Sequence, residues 1–293
     1  MPKGELAALA TATCWAVTSL VFAEAARRIG ALRVNLLRLP VAFALLSMAL
    51  LAAHHPLASL TPPRWVYLAA SAVLGLLAGD LAFFAALRRL GARLASVLMA
   101  LAPVFAALAG RLLLGELLGG RALLGITVTL AGVTWVAAER DGESRPSHRL
   151  GGLALGTFGA ACQGVGLVLA KLGMAGEVPP LAATWVRIGV ATAVLWLLTA
   201  ASGRLRQAEV FLAARRAWRQ VVSGAFFGPF VGVWLSLTAA SLTDVGVAAT
   251  LMATTPVLLI PLAMALEGYR PTLRAVAGTV LAVIGVGLLF TRG

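Results

Sequence analysis

Ten runs of 17–23 mostly apolar residues follow one another along this chain, at 6–24, 34–53, 65–87, 94–114, 122–138, 150–171, 181–201, 218–240, 245–266 and 272–290. Short charged or Pro/Gly-containing breaks separate them. A run of that length is what a helix needs to cross the hydrocarbon core of a bilayer. In lipid every backbone N–H and C=O must be bonded within the protein, so a span is a helix or a strand of a closed barrel. Barrel strands alternate apolar and polar residues, and these runs do not. The predicted fold is an all-α membrane protein of ten transmembrane helices.

Composition agrees with that reading. The chain is 60% hydrophobic and 12% charged, with a mean hydropathy of +0.95, against about a quarter charged in a soluble domain. The formal net charge is +13. No basic soluble domain is left over to receive nucleic acid, so the excess belongs to the loops, and the expected surroundings are membrane lipid. Two cysteines, Cys14 and Cys162, imply neither a disulfide framework nor a cysteine metal site, and no cofactor motif stands out. His54, His55 and His148 are read as lying in connecting segments. Lys3, the first apolar run and Ala23-Glu24-Ala25 imitate a cleaved signal peptide, but the repeat described next needs this segment as a helix.

The chain matches itself. Residues 4–15 align without gaps on 152–163, placing Cys14 and Trp15 on Cys162 and Gln163. "RLPVA" at Arg38 matches "RIGVA" at Arg187, one residue later in register. At one constant offset Trp65, Gly75, Gly79, Met99 and Pro103 match Trp218, Gly228, Gly232, Met252 and Pro256, and Gly125 and Gly132 match Gly278 and Gly285. Each half thus holds five runs. Five is odd, so the halves enter the membrane in opposite directions, an arrangement common in secondary transporters, whose substrate sits near the midplane between the halves. The expected organisation is a first repeat at 1–140, a polar linker at 141–149 within "ERDGESRPSHR", and a second repeat at 150–293.

The loops give the orientation. The odd-numbered loops carry 16 Lys+Arg and the other side carries 6, with Arg38 and Arg187 inside runs. Positive loops stay in the cytoplasm, so both termini are expected on the outer side of the inner (plasma) membrane. Whether one copy or two form the working unit is left open.

At these motifs the chain resembles the EamA-type transporters of the drug/metabolite transporter superfamily. The resemblance rests on the two five-helix halves, on R-x-P/G-V-A in the second helix of each, and on "LAPVFAALAGRLLLGELL" and "TTPVLLIPLAMALEGYRPTLRAVAG". It covers essentially the whole chain and implies export or exchange of small metabolites such as amino acids. One departure stands out. The family's "GE" after the fourth helix ends here in Glu116, whereas the second half reads Gly268-Tyr269, with Glu267 two residues early. The small multidrug pumps of the same superfamily use a glutamate within their first helix. Here that helix has no acid until Glu24, which weakens proton antiport by their mechanism.

Several residues are out of place in lipid. Arg38 lies about 6–8 Å inside its helix end at 1.5 Å per residue, either snorkelling to the interface or pairing. Asp80, the one carboxylate well inside a run, is expected at a similar depth and is also a cavity candidate, since proton coupling in a membrane usually needs such a group. Intramembrane charges face the bundle interior and pair, so an Arg38–Asp80 ion pair is predicted. Arg187 differs, because the repeat mate of Asp80 is Val233. Glu116, Glu177 or Asp244 are candidate partners from the outer side. Without one, Arg187 would attract a substrate carboxylate. Gln163 at mid-depth either ties helices together or lines a cavity, as does its mate Trp15. Pro103 and Pro256 are expected to kink their helices. Met99 and Met252, one turn earlier, are cavity candidates by their flexibility and packing residues otherwise. Gly75/Gly79 and Gly228/Gly232 form small-xxx-small pairs for close helix contact.

Three functions compete. A carrier fits the inverted halves. An intramembrane enzyme acting on lipid or peptide would need a buried nucleophile and base, or clustered metal ligands. A channel would need rings of polar groups and usually several subunits.

Overall fold

In a computed structural model, residues 3–53, 61–114, 119–138, 146–175, 178–203, 215–242, 245–268 and 271–290 are described. The regular elements among them are all helices: α1 (Lys3–Ile29), α2 (Ala31–Ala53), α3 (Pro62–Ser71), α4 (Asp80–Met99), α5 (Ala102–Leu114), α6 (Gly120–Ala138), α7 (Pro146–Met174), α8 (Pro180–Ala201), α9 (Arg215–Ala225), α10 (Val233–Leu242), α11 (Val245–Met252), α12 (Thr255–Glu267) and α13 (Leu273–Phe290). Two π-helical segments, Ala72–Gly79 and Phe226–Gly232, join α3 to α4 and α9 to α10.

Among the described residues, seven helical stretches are long and apolar enough to cross a membrane, and three apolar helices are shorter: Ala102–Leu113, Thr255–Leu266 and Leu273–Leu288. The difference from ten equal spans has local causes. Pro62–Met99 holds the third and fourth runs in one stretch, and Gly91, with a φ of 79°, kinks the chain between them. The fourth and ninth runs are each divided in two, at Ala100–Leu101 and Ala253–Thr254. The helix after the 141–149 linker begins early, with α7 starting at Pro146 and carrying His148 in its first turn; Pro is well suited to a first turn, where its missing N–H is no loss. His54 and His55 lie outside the described residues.

The halves interlock rather than stand side by side. α1 packs on the π segment and α10 of the second half, and α7 packs on α3, the first π segment and α4 of the first. Glycines set these contacts. A Cβ on Gly79 would lie 3.1 Å from Cys162 Cβ, and one on Gly232 would lie 3.0 Å from Trp15 Nε1. Ser71 Oγ donates to the Gly166 carbonyl at 2.6 Å. The last helices of the halves, α6 and α13, meet reciprocally: Gly132 faces Ala282, and their repeat mates Gly285 and Thr129 face each other. α2 and α8 meet where Phe43 stacks on Trp185 at 5.4 Å between ring centroids, with Trp185 Nε1 donating to Ser47 Oγ at 2.9 Å. Leu51, Leu112, Leu150 and Leu273 point outward, which suits a lipid-facing surface.

Candidate functional site

Between the interlocked halves lies a central, partly open cavity of about 190 Å³. Its walls come from α1, α2, α4, α5, α7, α8, α10, α11, α12 and both π segments. Trp15, Arg38, Asp80, Met99, Pro103, Gln163, Arg187, Met252 and Pro256 all line it. These residues are scattered through the sequence, and the inverted halves bring them to one place.

Asp80 is the hub. It follows the first π segment directly, and a π turn, rare and inserted at some cost, recurs at functional sites. One carboxylate oxygen, Oδ2, accepts from Arg38 Nη2 in a salt bridge buried on both sides. The other, Oδ1, accepts from Gln163 Nε2 at 2.6 Å. Gln163 therefore both lines the cavity and ties α7 to the first half. Arg38 is further held by Asn35 Oδ1, which accepts from its Nε at 2.9 Å. Its guanidinium carbon lies 4.6 Å from the Phe84 ring centroid and 5.4 Å from that of Phe22, within cation–π range. Neither arginine snorkels: Arg38 is 5% and Arg187 4% exposed.

Arg187 is held differently. Its Nε is buried without a hydrogen-bond partner, and the described residues offer it no ion pair within salt-bridge distance. Asp80 is within electrostatic range of it. A Cβ on Gly75 would lie 3.5 Å from Arg187 Nη2 and 3.6 Å from Gln163 Oε1, so the open backbone of the π segment leaves room for both. The sequence sets the two arginines near opposite faces; in the structure both line the one cavity. Arg187's three sequence candidates for a partner, Glu116, Glu177 and Asp244, lie outside the described residues.

The two prolines sit at helix breaks. Ala100 and Leu101 bond back three residues, to Val97 and Leu98, and α5 restarts just before Pro103. In the second half Thr254 N bonds to the Leu251 carbonyl, and Thr255 Oγ1 donates to the Met252 carbonyl at 2.7 Å. Pro256 cannot donate to that carbonyl, and the hydroxyl takes its place. The first-half mates of Thr254 and Thr255 are Leu101 and Ala102, with no hydroxyl. Met99 and Met252 end the helices before these breaks.

Some wall residues escape a sequence reading. Phe22, Phe83 and Phe84 form an aromatic side, and Leu76 and Pro229, repeat mates, face the cavity from the two π segments. Asn35, three residues before Arg38 on the same helix face, is the available signal for Arg38's second partner. Pro229 within Gly-Pro-Phe-Val-Gly was a signal for irregular backbone.

A helical bundle of two like halves with a polar-centred cavity between them is the build of a membrane carrier. The model of the EamA-like transporter family matches residues 2–138 and again 150–291, and the chain belongs to that family. It is accordingly a multi-pass membrane transporter of small solutes. A solved structure titled "Crystal structure of protein" is 19% identical, covering 98% of this chain and 96% of its own, with a TM-score of 0.71; the two share a fold. A search of curated protein sequences gives no match.

Proposed function

We propose that the chain is a secondary carrier of ten transmembrane spans, built as inverted repeats at 1–140 and 150–293 around the linker 141–149. It holds a small organic solute between the halves and exposes it to one side of the inner membrane at a time, exporting or exchanging it. Arg187 receives the carboxylate of that solute. Trp15, Gln163, Met99 and Met252 shape the rest of the cavity, and the Arg38–Asp80 pair holds its frame.

The observation that carries this reading is the Arg187 guanidinium, buried against the cavity with its Nε unpaired. An unpaired buried donor on a charged group is costly, and a substrate oxygen would relieve it. The competing enzyme reading has less to draw on: Arg38, Asp80 and Arg187 are the charged side chains of the wall among the described residues, and each oxygen of Asp80 already accepts a hydrogen bond.

Transport of labelled carboxylate solutes into proteoliposomes, measured beside melting temperature, tests it. Arg187→Gln is expected to lower transport at least tenfold with a small change in melting temperature. Arg38→Gln is expected to lower melting temperature first. Full transport by a folded Arg187→Gln protein overturns the assignment.

A further inference from the structure

Among the described residues, the charges of the cavity wall are two arginines and one aspartate, Arg38, Arg187 and Asp80. Asp80 is already committed, since Arg38 holds Oδ2 and Gln163 Nε2 lies 2.6 Å from Oδ1. One formal positive charge is left over, at Arg187. The remaining hydroxyls are largely turned inward on their own helices: Thr18, Ser236 and Thr255 donate to the carbonyls of Trp15, Val233 and Met252, and Ser96 donates to Ser19. The rest of the wall is mostly apolar, with Phe22, Phe83, Phe84, Met99, Leu167 and Met252 contributing.

From this we infer, resting on the carrier reading above, that the cavity selects an apolar monocarboxylate of about one ring in size that carries no ammonium group. A monoanion brings the buried charge to zero. A zwitterionic amino acid leaves it positive and buries an ammonium beside an arginine, with no uncommitted acid among the described wall residues to receive it; an unpaired ion in low dielectric is strongly disfavoured. A dianion overshoots, because only one cation is uncommitted. Size follows from the volume of about 190 Å³, somewhat above the roughly 150 Å³ apolar cavity that admits benzene. The family resemblance points toward amino acids; the charges of this cavity point away from them.

A matched series decides it: 3-phenylpropionate, phenylalanine, phenethylamine and phenylsuccinate, which share one ring and differ in charge. Binding to the purified full-length protein is read by quenching of tryptophan fluorescence, Trp15 being in the wall, and by thermal stabilisation. Transport of any member that binds is read in proteoliposomes. The expected result is 3-phenylpropionate bound at least tenfold more tightly than each of the others. Arg187→Gln should erase that preference and Arg187→Lys should keep part of it. Phenylalanine or phenethylamine bound as tightly as 3-phenylpropionate overturns the inference, and so does a series in which no member binds. If phenylalanine is bound and transported, the charge class falls and the carrier stands. If 3-phenylpropionate is bound with the expected preference but not moved, the charge class stands and the carrier reading falls.

Discussion

Arg38 and Arg187 are repeat mates with opposite surroundings. Arg38 has a carboxylate, an amide and two aromatic faces. Arg187 has an unpaired Nε. Removing one partner of a buried pair strands the other and costs about 3–5 kcal/mol, whereas replacing both by apolar residues is often near neutral. Arg38→Met and Asp80→Leu should each lower the melting temperature sharply. The double mutant should recover much of the loss, though not all, because Gln163 loses its acceptor. Thermal unfolding of the four proteins measures the coupling, and a double mutant whose loss equals the two single losses added would show none. The pair was legible in the sequence because a lone intramembrane acid and a lone arginine at similar depth have few other solutions. Arg187 stood out in the sequence as a cavity candidate because no acid matches Asp80 in its half, but where a long side chain turns depends on what packs around it. Here that is Gly75 on another helix.

The elements show the same division between pattern and packing. Apolar length marks the helices, and the repeat mates mark which glycines matter. A Cβ on Gly132 would stand 2.4 Å from Ala282 N, and one on Gly285 would stand 2.3 Å from Thr129 N. Those neighbours are backbone, so α6 and α13 must part. Gly132→Ala and Gly285→Ala should each destabilise the protein by about 1–3 kcal/mol, the usual range for overpacking. Gly75→Ala meets only contacts of 3.5 Å or more and serves as the folded control in the same melting series. The π segments are less legible: their repeat-mate glycines and Pro229 mark close contact and irregular backbone there, but not the rare π turn itself. The fourth and ninth helices were expected to kink at Pro103 and Pro256. A proline removes one hydrogen bond and clashes with the preceding turn, and in the structure the chain resolves this by breaking outright at Ala100–Leu101 and Ala253–Thr254.

At the scale of the whole molecule, inverted halves pose a problem of orientation. Each half, read alone, prefers the direction its own loops dictate, and the two must agree on one topology. The loops within the second repeat carry Arg204, Arg206, Arg215, Arg216, Arg219, Arg270 and Arg274 on one side against Lys171 and Arg292 on the other. The first repeat is less biased, with Arg27, Arg28, Arg33, Arg88, Arg89 and Arg93 against Lys3, Arg64, Arg111 and Arg121. Glu24 bonds Arg27 and Arg28, but acids contribute little to orientation. The second half should therefore dominate, with both termini outside. A cysteine added after Gly293, in a background lacking Cys14 and Cys162, should react with a membrane-impermeant maleimide added to intact cells. One placed beside Arg215 should react only after lysis. The reverse pattern would overturn the orientation. Replacing Arg215, Arg216 and Arg219 by serine should weaken the bias and yield a mixed population, with labelling of intact cells at both positions, because those three arginines make up much of the second repeat's asymmetry.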